Sequence, residues 1–305
     1  MPLPLRKGDH YRELLAFSLP LLVAGISSLI LNWTDTLMLG RYTPPESVGI
    51  YNVSISLAKL MTFVLGAMGF IFLPMATEMY AKGQTQDLKR TYQVLTKWVF
   101  AATFPLFFVL FFFPEMTIEF LFGKGLVAAS LPLRLLALGF LFHVFMGPNG
   151  LTLMSHGMTK TIMKISMSGA FLNIILNYLL IKRLGMDVIG ASTATLVSYV
   201  TINVLSSITL YKVSGIHPLT FKYVKPVIGA SITGLVIYIL VKKVFFAWWM
   251  MPVYLIMFVV GYGMSLLLSG SIEREDMLFL DGIERRIGIE LKWLRKLVDR
   301  FTPDE

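Results

Sequence analysis

Eight long stretches without a charged side chain run through this chain, at residues 14–34, 60–77, 98–114, 135–159, 165–181, 188–211, 226–241 and 244–271. Each is near or above the ~17–25 residues that cross a hydrocarbon core about 30 Å thick. The shortest, 226–241, can be lengthened through Lys242 and Lys243, whose aliphatic stems lie along lipid while the ammonium groups reach water. Lipid offers backbone groups no hydrogen bonds, so every crossing segment is expected to be helical. The expected fold class is all-α: a polytopic membrane bundle of about eight helices.

Charge supports that reading and orients it. The 27 Lys and Arg residues cluster at the two ends of the chain and in every second gap. Only Arg41, Lys124, Lys182, Arg183, Lys242 and Lys243 fall in the other gaps, while Lys59 and Arg134 lie within or at the edge of spans. The asymmetry predicts both termini in the cytoplasm of a multi-pass cell (plasma) membrane protein. Lys182–Arg183 and Lys242–Lys243 oppose the rule locally. A net charge of +9 could suggest nucleic acid, but its distribution follows membrane topology, so no nucleic-acid partner is expected. The chain has no Cys, which excludes disulfides and thiolate metal sites. The basic N-terminal stretch leads into an apolar run longer than the 7–15 residues of a signal-peptide core, so it reads as the first span.

The loops are short. Residues 40–49, with Pro44–Pro45, read as an extended turn, and 78–97 has room for a short helix opened by Gly83. Residues 212–225, with Gly215 and Pro218, read as the boundary between six spans (1–212) and two more (213–271). In the tail (272–305), Ile287, Leu291, Leu294, Val298 and Phe301 recur on one helical face among basic residues. Such a helix lies either in the cytoplasmic headgroup layer or against the protein's own loops.

Several residues break the apolar pattern. Pro20, Pro74 and Pro105 fall inside spans, where each reads as a buried kink. The run Gly147-Pro148-Asn149-Gly150 cannot continue a helix; broken helices in transporters line substrate or ion sites, and the alternative is a kink packed between neighbours. Asp35 and Lys59 are ionisable groups inside spans, which is costly unless they face a cavity or a partner. Asp35 is expected either to take a proton or coupling ion or to form an ion pair with Lys59, which otherwise would contact an anionic substrate. Arg134 would contact phosphate bidentately or snorkel to the interface. His143, nearer mid-membrane, reads as a proton relay or as hydrogen-bonded packing. Asn173 and Asn177 share a helix face and suit interhelical hydrogen bonds or a polar cavity wall, and Asn149 in the broken segment is a candidate substrate contact. Gly190, Ala191, Ser192, Ala194 and Ser198 suit close helix packing.

No Walker loop, HExxH, GxSxG or Cys nucleophile is present, and Glu115 and Glu119 read as an interfacial turn. The expected protein is not an enzyme and uses no cofactor or metal. A membrane enzyme of glycan assembly would also need a large acid- or base-bearing loop, which the pattern lacks.

The stretches LPLLVAGISSLILNWTDTLMLGRY, VGIYNVSISLAKL, FLPMATEMYAKG, FGKGLVAASLPLRLLALGFLFHVFMGPNGLTLMSHGMTK and GAFLNIILNYLLI resemble the polysaccharide-biosynthesis flippase family. These are the Wzx-like members of the multidrug/oligosaccharidyl-lipid/polysaccharide exporter superfamily. Such proteins carry two helical lobes plus two extra helices and pass cargo between the lobes by alternating access. The chain resembles the second lobe with the extra helices. The resemblance thus implies a flippase, or flippase subunit, for lipid-linked oligosaccharides or polysaccharide repeat units. Its expected partners are the lipid-linked glycan, membrane lipid, and either a separately encoded first lobe or a second copy of itself. In this reading Lys59, Arg134 and Asn149 contact substrate, Asp35 and His143 serve coupling, and Gly147, Pro148 and Gly150 let the fourth span bend. The alternatives are a cation-coupled multidrug antiporter of the same superfamily and an inactive truncated fragment.

Overall fold

A computed structural model describes residues 7–218, 228–229, 231–236, 239 and 251–268. The described residues form helices and short turns, with no strand among them. In chain order the helices are α1 (Lys7–Tyr42), α2 (Pro45–Lys59), α3 (Phe63–Ala81), α4 (Thr85–Phe112), α5 (Pro114–Phe122), α6 (Ser130–Phe145), α7 (Asn149–Ser155), α8 (Thr159–Asn177), α9 (Asp187–Ser214) and α10 (Met251–Leu268). A 3-10 turn at Leu60–Thr62 joins α2 to α3, another at Lys124–Ala129 leads into α6, and a π-helical turn at Tyr178–Arg183 extends α8.

Among the described residues, six helical runs are long and apolar enough to cross a membrane: Tyr11–Tyr42, Pro45–Ala81, Thr85–Phe112, Lys124–Ser155, Thr159–Arg183 and Asp187–Ser214. The chain is therefore a multi-pass membrane protein, and these runs coincide with the first six expected spans. Helix α10 falls where the eighth was expected. The expected seventh span is described only at 228–229, 231–236 and 239, where it is helical, and the tail 272–305 lies outside the described residues.

Two loop expectations are corrected. Residues 40–49 are not an extended turn: α1 runs to Tyr42, only Thr43 and Pro44 intervene, and α2 opens with Pro45 at its first position. A proline there loses no hydrogen bond, because the first amides of a helix have no intrahelical acceptor. Residues 78–97 are likewise not a loop with a short helix; α3 continues to Ala81, and α4 begins at Thr85 after a turn with Gly83 at φ 70°. In both places a charged residue marked the end of an apolar run without marking the end of a helix. Pro20, Pro74 and Pro105 sit inside helices that continue through them.

Packing follows side-chain size. Helix α9 buries Gly190, Ala191, Ser192, Ala194 and Ser198, the small residues that let helices approach in lipid. At the α6–α9 crossing an added Cβ on Gly139 would stand 3.1 Å from Leu196 Cα, so the backbones are nearly in contact. The buried apolar side chains form two groups. One surrounds Phe100, Phe104, Leu133 and Phe140 toward the α1–α2 turn; the other surrounds Phe72, Tyr92, Leu95 and Val144 toward the α3–α4 turn. Helix α1 pairs most extensively with α8, and α6 with α9. These two pairings frame the polar features of the interior.

Candidate functional site

Asp35 lies in the α1–α8 seam, toward the end that carries the α1–α2 turn, and is almost fully buried. Its Oδ1 accepts hydrogen bonds from Asn177 Nδ2 at 2.6 Å and Asn173 Nδ2 at 3.2 Å. Its Oδ2 accepts from Thr195 Oγ1 at 2.5 Å and from the Tyr51 hydroxyl. Helices α1, α2, α8 and α9 thus converge on one carboxylate. The i,i+4 spacing of the two asparagines puts both on the face of α8 that meets α1. All four donors are neutral. The donated bonds replace part of the lost hydration, but not the countercharge that an ionised carboxylate needs in a low-dielectric interior.

The expected Asp35–Lys59 ion pair does not form: among the described residues no cation lies within 4.0 Å of Asp35, and Lys59 is exposed at the end of α2. The reason is geometric. The carboxylate is enclosed by donors from α2, α8 and α9, the last two arriving from more than 130 residues away, and Lys59 stays beyond ion-pair distance although it still feels the charge of Asp35.

One more atom belongs to this cage. Asn177 Oδ1 is buried and has no hydrogen-bond partner. Together with Asp35, the Thr195 and Tyr51 hydroxyls and Asn173 Oδ1, it makes an all-oxygen set. Oxygen-only surroundings suit a hard cation such as an alkali ion, or a proton on the carboxylate, rather than a soft metal.

A second feature lies further along the bundle. A cavity of about 690 Å³ opens between α3, α6, α7, α8 and α9. Its wall includes the break between α6 and α7, where Gly147 (φ 69°) and Pro148 interrupt the helix. Gly147 is required twice over, by its left-handed backbone and because an added Cβ would stand 2.8 Å from Thr96 Cγ2. The carbonyl freed at Met146 is taken by the Tyr92 hydroxyl at 2.5 Å. Asn149 donates to the Asn203 carbonyl at 3.3 Å and to Ser207 Oγ at 3.2 Å, and His143 Nδ1 lies 3.0 Å from Asn203 Oδ1. Asn203 is the hub, itself donating to the Tyr199 carbonyl at 2.8 Å. The described cavity wall is mainly apolar, its polar members being His143, Asn149, Asn203 and the hydroxyls of Thr62, Ser166 and Ser206, and it carries no Asp, Glu, Lys or Arg.

The expected site residues therefore separate. His143, Gly147, Pro148, Asn149 and Gly150 come together at the cavity, and Asp35 occupies its own cage. Lys59 and Arg134 belong to neither. Arg134 donates to the Phe111 carbonyl at 3.0 Å and pairs with Glu115 at 3.0 Å, both side chains partly exposed. Glu119 pairs with Lys124 at 3.7 Å. Sequence reasoning missed Tyr51, Thr195 and Asn203. Asn203 was detectable as an amide within an apolar span; Tyr51 and Thr195 are ordinary residues in such spans, and only the tertiary fold singles them out.

Residues 20–179 match the MatE family. An uncharacterised membrane protein of Methanocaldococcus jannaschii is 26% identical over 189 residues, covering 62% of this chain and 37% of that protein. The teichuronic acid biosynthesis protein TuaB of Bacillus subtilis is 26% identical over 125 residues, covering 40% of this chain and 25% of that protein. A solved structure of a MOP superfamily transporter from Pyrococcus furiosus aligns with a TM-score of 0.54 at 15% identity, over 84% of this chain and 63% of that one. The present chain thus spans well under half the length of the two curated relatives it matches. It belongs to the MatE family, and its fold is that of the MOP superfamily transporters.

Proposed function

We propose that this MatE-family chain forms one half of a membrane transporter that moves a lipid-linked oligosaccharide or polysaccharide repeat unit by alternating access, with Asp35 holding the coupling cation or proton. The observation that carries the proposal is the Asp35 cage. A carboxylate inside a span with four neutral donors, an unpartnered oxygen on one of the donor amides and, among the described residues, no cation within 4.0 Å has a vacancy of charge rather than of hydrogen bonds. An intramembrane carboxylate so placed marks an ion pathway by its cost alone. Because the cage joins α1, α2, α8 and α9, loading or emptying it changes how these helices are held together.

The cargo reading rests on the cavity and on TuaB, whose name places it in teichuronic acid biosynthesis. An apolar wall bearing a strip of amides and hydroxyls suits a molecule with sugar hydroxyls on one side and hydrocarbon on the other. The lining has no fixed cation, so Lys59 and Arg134 are not assigned as phosphate contacts within this cavity. The companion half would be a separately encoded lobe or a second copy of this chain. A cation-coupled drug antiporter is the second reading; the uncharged, mainly apolar cavity favours it.

The test is a strain lacking this protein, complemented by native or Asp35→Asn protein at matched abundance, with lipid-linked glycan assayed on each leaflet. Accumulation on the inner leaflet, reversed by native protein and not by Asp35→Asn, is the expected result. A normal glycan distribution in the deletion strain, together with new sensitivity to lipophilic cations, would replace the glycan reading with the antiporter one.

A further inference from the structure

At the end of the bundle that carries the α1–α2 turn, three cations gather on two tyrosines. Lys182 Nζ lies 5.2 Å from the ring centre of Tyr42 and 4.8 Å from that of Tyr178. The Arg183 guanidinium lies 5.8 Å from Tyr178, and that of Arg41 lies 6.0 Å from Tyr42. The π-helical turn at Tyr178–Arg183 makes this possible. Its wider winding, with Leu184 N–H donating to the Leu179 carbonyl at 3.0 Å, lets positions four and five residues on both flank Tyr178. In a regular α-helix only the first would.

The rings hold the cations without neutralising them. Among the described residues no carboxylate lies within 4.0 Å of Arg41, Lys182 or Arg183. These are also three of the bases that oppose the charge asymmetry of the loops. Beside them the exposed side chains are apolar: Leu37, Leu179 and Leu184 face away from the protein.

We infer that this cluster is a binding site for the phosphate headgroup of an anionic membrane lipid. The guanidinium forks of Arg41 and Arg183 match phosphate oxygens, Lys182 adds a point charge between them, and Tyr42 and Tyr178 sit at headgroup depth. Leu37 and Leu179, on the membrane side of the cations, run alongside the acyl chains, which favours a lipid over a free phosphate. The site spans the α1–α8 seam about 10 Å along α1 from Asp35, so a seated lipid clamps the two helices that form the cage. It is independent of which cargo the protein carries.

The test uses purified full-length protein in detergent, titrated with dioleoylphosphatidylglycerol or dioleoylphosphatidylcholine and read by native mass spectrometry. The native protein should retain the anionic lipid over the zwitterionic one. The double variant Lys182→Gln/Arg183→Gln should weaken that retention roughly 30-fold, about 1 kcal/mol for each cation lost. The charge-keeping Lys182→Arg/Arg183→Lys should retain it, as should Lys160→Gln/Lys164→Gln, which removes two charges at the far end of the same helix. Retention by Lys182→Gln/Arg183→Gln within about two-fold of native would overturn the site. So would equal loss in the Lys160/Lys164 control, which would mean a general charge effect. Displacement of bound lipid by millimolar glycerol 3-phosphate would transfer the site to soluble phosphates and overturn the lipid assignment.

Discussion

Asn177 donates to Asp35 Oδ1 at 2.6 Å across 142 residues of chain, and its own amide oxygen is left buried without a partner. One side chain thus closes the α1–α8 seam and carries a buried acceptor that no donor satisfies. From this pairing comes the expectation that the cage responds to cations.

Sodium or potassium chloride should raise the melting temperature of the native protein beyond the effect of choline chloride at equal ionic strength. Binding at one hundred times Kd stabilises by about 2.7 kcal/mol. Asp35→Asn should lose that specific increment, because the amide supplies neither the charge nor a second acceptor oxygen. A cation-specific increment of native size in Asp35→Asn would remove the ion-site assignment.

Asn177→Ala should destabilise the bundle toward the upper end of what interhelical hydrogen bonds contribute in membranes, about 1.7 kcal/mol. The side chain also donates to the Asn173 carbonyl and Oδ1, each at 3.0 Å, so more than one contact is lost. Unfolding in mixed micelles measures the loss.

At the helix break, Gly147→Ala should cost about 2–4 kcal/mol, from left-handed backbone strain together with overlap on Thr96. Thr96→Ala in the same protein should recover much of the overlap component by removing Oγ1 and Cγ2, while the Cβ at 3.0 Å and about 1–2 kcal/mol of backbone strain remain. If the double variant were no more stable than Gly147→Ala, the steric account would be wrong.

Arg134→Ala should change stability by less than about 1 kcal/mol, since its pair with Glu115 is partly exposed. The glycan export proposed for this chain should persist at normal protein abundance, because Arg134 lies away from both the cage and the cavity. A large transport defect without loss of abundance would restore Arg134 as a substrate contact.

The last described helix is fastened by aromatics: Phe258 of α10 stacks on Phe108 of α4 at 4.4 Å between ring centres and 10° between planes, with Phe104 at 6.4 Å. Phe258→Ala should weaken this attachment by about 1–3 kcal/mol, whereas Met257→Ala, on an exposed position, should be near neutral. Cysteine cross-linking between α4 and α10 reports the difference.

The spans were legible because their cause is local. A run of apolar residues long enough to cross lipid has only the helix available, and the first six spans emerge at the expected places. Helix ends were less legible. Asp35 and Lys59 interrupt the apolar runs yet belong to spans, as their spacing predicts: α1 passes through Asp35 to Tyr42 and α2 runs from Pro45 to Lys59, so the turns at 42–45 and 81–85 are shorter than the charged gaps suggest. The break at Gly147-Pro148 was legible, since neither a left-handed glycine nor a proline suits a helix interior.

By itself, then, the sequence determined that the chain crosses the membrane repeatedly, where the fourth span breaks, and that Asp35 required an explanation. It also placed Asn173 and Asn177 on one face, because helical spacing is a property of neighbours. Only the tertiary structure decided who meets whom. It set Tyr51, Asn173, Asn177 and Thr195 around Asp35, joined His143 and Asn149 through Asn203, and sent Lys59 and Arg134 elsewhere. The energy of an intramembrane charge depends on groups that the fold brings from distant helices, and a linear chain carries no local signal of that encounter.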